Sequence, residues 1–454
     1  MATLTPSQIS DPEPGSGGRG KGASTARGPK ARGPRTDIAP TPGRAVALWL
    51  RAVLDRPMTS YHLVLGSVAL LLVVGLMMVL SASSVNAYLT TGDSYYYVKR
   101  QVIFLVIGVV GAVVIMKLPV TTLRWISWVG LGLATLLLVL TYTPLGLDIN
   151  GNRNWLSTGV SSFAIQPAEF AKLALVLWGA DVLARKQKLL DRPFHLLVPF
   201  LPVSGLIIAL VVFQGDAGTA VVLAGIVAGV LWIVGAPMRV LAALGALGFV
   251  GVFGLFVTSP VRMRRLAAYL DPSVNVNGIN DQAQAGMFAI ASGGWWGMGL
   301  GASRQKWGSL PEAHTDFIFA VLGEEFGLFG SLVVLALVGL LGYAGFRIAS
   351  RSDDPFSRYA AGGVTTWFVV QALFNLAVVL RLLPIAGVPL PLVSYGGSAL
   401  IGNLLAVGVL LSCARREPAA RSLLAARHSG HRPRMTVTTG AGSGRGTRRS
   451  RSRA

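Results

Sequence analysis

Asp316 sits where lipid would begin. The stretch Leu310-Pro311-Glu312-Ala313-His314-Thr315-Asp316-Phe317-Ile318-Phe319-Ala320 packs ionisable groups against an apolar run that continues through Leu341. A charge at membrane depth costs roughly 3 kcal/mol or more, so such a group usually lies in a cavity and acts there. A carboxylate in this place can meet a substrate with a wet head and a greasy tail. It also suits a plain cap of the helix that follows, where acidic side chains are favoured. The residue types leave both roles open.

Other polar groups fall at the same end of the expected spans. One connection carries Arg153, Trp155, Gln166 and Glu169, with Lys172 just inside the next span. A turn reads Gln214-Gly215-Asp216-Ala217-Gly218-Thr219, and a long insert adds Lys306, Glu312 and His314, with Glu324 and Glu325 beyond. The last loop, Pro384 to Ser398, contains Ser394 and Tyr395 among prolines and glycines. That composition suits a rigid re-entrant segment, which a membrane tolerates only where protein or a cavity surrounds it. Each group has a structural alternative. Glu169 and Lys172, three apart, suit an ion pair as well as a substrate contact. Asp216 can cap the helix at Thr219, Glu324 and Glu325 can pair internally, and His314 fits an orienting partner better than a metal ligand. The glycine run from Gly293 to Gly301 lacks the strand–turn–helix setting of a dinucleotide loop, and its tryptophans suit a membrane interface.

Composition defines the elements that must position these groups. The 454 residues are 52% hydrophobic and only 13% charged, against about 25% charged in soluble domains. The fold class expected is all-α: a polytopic integral membrane protein of about ten transmembrane helices. The spans run His62–Leu80, Val102–Met116, Trp125–Tyr142, Phe170–Leu183, Leu196–Phe213, Thr219–Val234, Val240–Val257, Phe317–Tyr343, Tyr359–Leu383 and Leu400–Ala414. The membrane domain is 59–414, with a long outer loop over 258–316; 1–58 and 415–454 are expected to be disordered basic tails. Of the +21 net charge, much lies in these tails, with nine Lys/Arg against four acidic residues before Tyr61 and eleven against one after Ala414. Such arms suit anionic lipid head groups; nucleic acid is disfavoured because no recognition module accompanies them. The positive-inside rule puts both termini in the cytoplasm, and Asp316 with the long loop on the outer face. The lone Cys413 excludes an internal disulfide framework. The first apolar run, near Tyr61, starts too deep for a cleavable signal peptide.

The segments LPEAHTDFIFA (310–320) and Gly323-Glu324-Glu325-Phe326-Gly327 resemble the signature of the SEDS family (shape, elongation, division and sporulation). In order, so do Ser81-Ala82-Ser83-Ser84, Gln166-Pro167-Ala168-Glu169-Phe170-Ala171-Lys172, Asp216-Ala217-Gly218-Thr219 and Pro389 to Ser398. Ala313 and the run from Gly75 to Ser84 favour the division branch over the elongation branch. The resemblance spans Tyr61 to Ala414. It implies a glycosyltransferase that polymerises lipid II, a disaccharide-pentapeptide on undecaprenyl diphosphate, at the outer face of the bacterial cytoplasmic membrane, at the division septum. The partners it implies are a class B penicillin-binding transpeptidase and other division proteins.

The family's essential aspartate falls on Asp316, as general base or as ligand of a divalent ion, Mg2+ or Mn2+. Lys172 and Arg153 are then candidates for the diphosphate, and Gln166, Glu169, Asp216, Lys306, Glu312, His314, Ser394 and Tyr395 for the rest of the substrate pocket. Two positions depart from the family pattern: Asn154 stands where arginine is common, and Gly215 where proline is usual. A lipid II flippase and a non-catalytic division scaffold are the competing readings. Few ionisable groups in the cytoplasmic halves of the spans argue against the first.

Overall fold

The computed structural model describes residues 56–428 apart from 150–151, 158, 160–163, 191, 259–262, 264–268, 270–278 and 309. The N-terminal tail to residue 55, residues 429–454 and much of the long loop lie outside the described residues. The helices are α1 (Thr59–Thr91), α2 (Tyr96–Lys117), α3 (Val120–Leu140), α4 (Pro167–Arg185), α5 (Pro193–Leu197), α6 (Phe200–Phe213), α7 (Ala217–Val234), α8 (Met238–Thr258), α9 (Ile279–Gly293), α10 (Ile318–Arg351), α11 (Pro355–Val379), α12 (Gly397–Ala414) and α13 (Pro418–His428). Eight helices, counting the Phe194–Phe213 stretch as one, are long and apolar enough to cross a membrane. α4, with four charged residues, and α8 occupy the remaining two expected spans. The chain is a multi-pass membrane protein.

α4 is the centre of the bundle. Nearly all of its residues from Pro167 to Leu183 are buried, because α3, α6, α7, α11 and α12 surround it. Small residues set the close approaches elsewhere. A Cβ on Gly408 of α12 would lie 2.6 Å from the Ala112 carbonyl oxygen of α2. In lipid, where no hydrophobic force drives helices together, such contact surfaces supply the association energy.

The helical membrane class is as expected, and three local features differ from it or add to it. The connection between α3 and α4 is not all-helical: β1 (Gly146–Ile149), β2 (Asn152–Ser157) and β3 (Ala164–Ile165) form an antiparallel sheet in the order β1-β2-β3. Leu156 pairs with Gly146 on one side and Ile165 on the other. Along β2, Asn154 and Leu156 are buried while their neighbours are more open, the two-residue period of a strand. Second, α1 does not stop at Leu80. Its 33 residues reach about 50 Å, beyond the ~30 Å hydrocarbon layer. Ser81 is tolerated inside it because its hydroxyl donates to Glu325 Oε1 at 2.5 Å. Third, residues 418–428 of the expected disordered C-terminal tail form α13, with Ala420 buried.

α10 is broken at Gly327, whose φ of 66° and ψ of −163° no helix contains. The break is where the loop after α9 docks: Met298 and Gly299 amides donate to the Glu324 and Glu325 carbonyls at 2.9 and 3.0 Å. Those carbonyls would otherwise lack partners at the break. A Cβ on Gly327 would lie 2.4 Å from the Gly297 nitrogen. The Gly327→Ala variant therefore combines backbone strain with a backbone clash. It is expected to lose about 1–3 kcal/mol of stability, read as a lower thermal midpoint in detergent, whereas Gly339→Ala, in open space, should not.

Candidate active site

One end of the bundle gathers the start of α10, the loop 380–396, the starts of α2, α4, α7 and α12, and the β-sheet. Asp316 lies two residues before α10 and is half-buried. Its backbone carbonyl accepts from Asn375 Nδ2 of α11 at 2.8 Å. Its carboxylate forms no hydrogen bond or ion pair among the described residues. Gly387, at φ 64°, brings the loop so close that a Cβ there would lie 3.5 Å from Asp316 Oδ2. Burial, then the Glu312 and Asp216 carboxylates, push the Asp316 pKa up to about 7. Both charge forms are thus accessible near neutral pH.

The neighbours are held by local geometry. Glu312 adopts a left-handed backbone, φ 55°, and accepts from Thr315 Oγ1 at 2.7 Å. His314 is buried, and burial lowers its pKa against the opposing pull of Glu312. Its ring lies 4.7 Å from that of Tyr97 and 5.5 Å from that of Tyr395, centroid to centroid. Its carbonyl accepts from the Tyr395 amide at 3.0 Å, which ties the Asp316 stretch to the last loop. Ser394 is inward-looking: its hydroxyl accepts from the Leu390 amide, and its carbonyl from Gln101 Nε2.

Asp216 does cap α7, accepting from the Thr219 amide at 2.9 Å. Its second oxygen accepts from Asn154 Nδ2 at 3.0 Å and Gln166 Nε2 at 3.2 Å. The two departures from the family pattern meet here. Asn154 is the residue that reaches Asp216, and Gly215 has φ 92°, which proline's ring forbids. Arg153, next to Asn154 on β2, is exposed and donates to the Thr143 carbonyl at 2.9 Å.

Two cations of the expected pocket are internal. Lys172 is 1% exposed. Its ammonium donates to Glu169 Oε1 and Gln371 Oε1, each at 2.8 Å, and lies 5.0 Å from the Trp367 ring centroid. Lys306 belongs to a separate cluster, donating to the Gly301 carbonyl at 2.7 Å, Ser81 Oγ at 3.2 Å and Glu325 Oε1 at 3.3 Å. Glu324 accepts there from Ser303 Oγ and the Arg304 amide. The residues not anticipated from sequence are Tyr97, Gln101, Gln371 and Asn375. The signal for the last two was present: amides four apart in an apolar span, a spacing that puts both on one face.

Folding must bring the Asp316 carboxyl out of water, and its raised pKa means the folded protein holds that proton where the unfolded chain has lost it. Stability contributed at low pH is then lost as pH rises from about 4 to about 7. Asp316→Asn carries no such charge. Its thermal midpoint should exceed that of the parent by several degrees at pH 8 and match it near pH 4, as read by melting at both values.

Residues 61–418 match the cell cycle protein family of FtsW, RodA and SpoVE. The chain is 38% identical over 421 residues to the probable peptidoglycan glycosyltransferase FtsW of Mycobacterium tuberculosis, covering 92% of this chain and 78% of that protein. It is 39% identical over 359 residues to stage V sporulation protein E of Bacillus subtilis, covering 79% and 98%. Among solved structures, a chain from "Structural coordination of polymerization and crosslinking by a peptidoglycan synthase complex" is similar at TM-score 0.65 and 29% identity, over 80% of this chain and 99% of that one. RodA of Thermus thermophilus is similar at TM-score 0.57 and 27% identity, over 78% and 96%. With the order of its motifs and its membrane fold, the chain belongs to the SEDS family.

Proposed function

We infer that this protein is a peptidoglycan glycosyltransferase that polymerises lipid II, with Asp316 as its general base. The observation that carries the reading is the Asp316 carboxyl: unpartnered among the described residues, half-buried beside the 380–396 loop, and titrating at about 7. Relatives named as FtsW glycosyltransferases support the activity, and with it septal cell-wall synthesis.

In this reading the Asp316 carboxylate takes the proton from the 4-hydroxyl of one sugar unit. That oxygen bonds to C1 of a second unit, and the bond from C1 to the lipid diphosphate breaks, the diphosphate leaving with the electron pair. The same carboxylate would steady positive charge developing at C1. Neutral His314, packed against Tyr97 and Tyr395, offers an aromatic surface rather than a cation. Arg153, exposed at this end, is the better diphosphate contact. Lys172, sealed against Glu169, acts by holding the scaffold. Among the described residues no three His, Cys, Asp or Glu side chains converge to hold a metal ion. Mg2+ or Mn2+ fits here only with Asp316 as one ligand and substrate phosphate oxygens as others, and no step depends on it.

The reading sets Asp316 on the outer face of the cytoplasmic membrane, with the basic tails inside against anionic lipid. It pairs the chain with a class B penicillin-binding transpeptidase, supported by a structural neighbour from a peptidoglycan synthase complex. The flippase reading is weaker because Glu169, Lys172 and Asp181 inside the bundle are buried and bonded to protein.

Purified protein, with its transpeptidase present, is expected to convert lipid II to glycan polymer. Asp316→Asn and Asp316→Ala should lose about 100-fold or more. Because the base must be ionised, the parent's rate should climb with pH through about 7. Near-normal polymerisation by either variant, or none by the parent, contradicts the assignment.

A further inference from the structure

α11 carries a buried row of polar side chains, Trp367, Gln371 and Asn375, four residues apart and on one face. Gln371 uses both ends of its amide. Its oxygen accepts from Lys172 Nζ at 2.8 Å and Trp367 Nε1 at 2.7 Å, and its nitrogen donates to the Pro389 carbonyl at 2.9 Å. Asn375 Nδ2 donates to the Asp316 carbonyl at 2.8 Å and the Val388 carbonyl at 2.7 Å. Its Oδ1 is buried with no partner among the described residues.

An amide in a membrane helix is costly unless its groups are bonded. A leucine at 375 would fill similar space without that cost. The side chain is retained with half of its amide unsatisfied, so what it contributes is the pair of donated hydrogen bonds. Both go to non-helical backbone, and one lands on Asp316 itself. The second lands beside Gly387, where a Cβ would lie 3.5 Å from Asp316 Oδ2. Clamping these two carbonyls to one rigid helix fixes the carboxyl against the loop. Gln371 extends the clamp by one residue, to Pro389, and joins it to the Lys172–Glu169 pair.

We propose that Asn375 is a positioning residue for Asp316, holding the catalytic carboxylate and the 387–389 backbone in one register from α11. This rests on Asp316 being the base, and the test separates the two. Full-length Asn375→Leu and Asn375→Asp would be purified and assayed with lipid II and the transpeptidase, beside Asp316→Asn and the parent. Leu removes both donors, and Asp keeps the shape without the nitrogen. The expected result is kcat down about 10- to 100-fold, with KM for lipid II within about two-fold and thermal midpoints within a few degrees of the parent. Parental kcat in both variants, with Asp316→Asn inactive, overturns the proposal and leaves the base intact. So does a loss of kcat that is matched by a fall in melting midpoint in both. Full activity of Asp316→Asn overturns the base assignment, and the positioning role with it.

Discussion

Non-helical backbone inside a membrane bundle must find hydrogen-bond partners from protein, since lipid offers none. The segment between α11 and α12 meets that demand partly with its own backbone and partly with side chains from neighbouring helices. Gln371 and Asn375 bond its carbonyls at 389 and 388, Gln101 bonds that of Ser394, and Ser394 Oγ takes the Leu390 amide. Ser398 at its end accepts the Gln166 amide at 3.0 Å, joining it to the start of α4. These bonds tie the loop to α2, to the start of α4, to α11 and to α12, so it records their relative placement. The Asp316 stretch is attached to the same loop through His314 and Asn375.

That scaffold explains how one carboxylate can stay without a partner. Three other buried carboxylates are paired with cations in place. Asp181 accepts from Arg124, Arg185 and Trp128; Glu169 holds Lys172; Glu325 holds Lys306. Removing one member of such a pair typically costs about 3–5 kcal/mol, which makes these groups architecture rather than reagents. Asp316 pays its desolvation uncompensated, and two further carboxylates add to the penalty. A destabilised ionised form next to a fixed, solvent-reachable surface is the usual physical signature of a working acid or base.

Much of this was legible in the chain itself. The membrane class and the motif that carries Asp316 follow from hydropathy and from one contiguous stretch, which needs no knowledge of distant contacts. Pairing was legible only where it is local: the three-residue spacing of Glu169 and Lys172 admits the ion pair that forms, whereas Gln371 and Ser81, which complete the surroundings of Lys172 and Lys306, lie some 200 residues away. Gln371 and Asn375 carry no charge, so the pattern of ionisable residues does not single them out. The end of α1 reads early because the serines at 81, 83 and 84 look like the edge of lipid, whereas a hydrogen bond to Glu325 satisfies the first of them. The small sheet was hidden in a connection too short and too polar to show a period.

The account depends on the proton affinity of a single side chain. Difference infrared titration of the protonated-carboxyl band in the parent against Asp316→Asn, in lipid nanodiscs, measures it directly. A band lost with a midpoint near 7 is the outcome this structure requires. A midpoint near 4, the value of a carboxyl in water, would show Asp316 to be an ordinary solvated acid and would contradict the account.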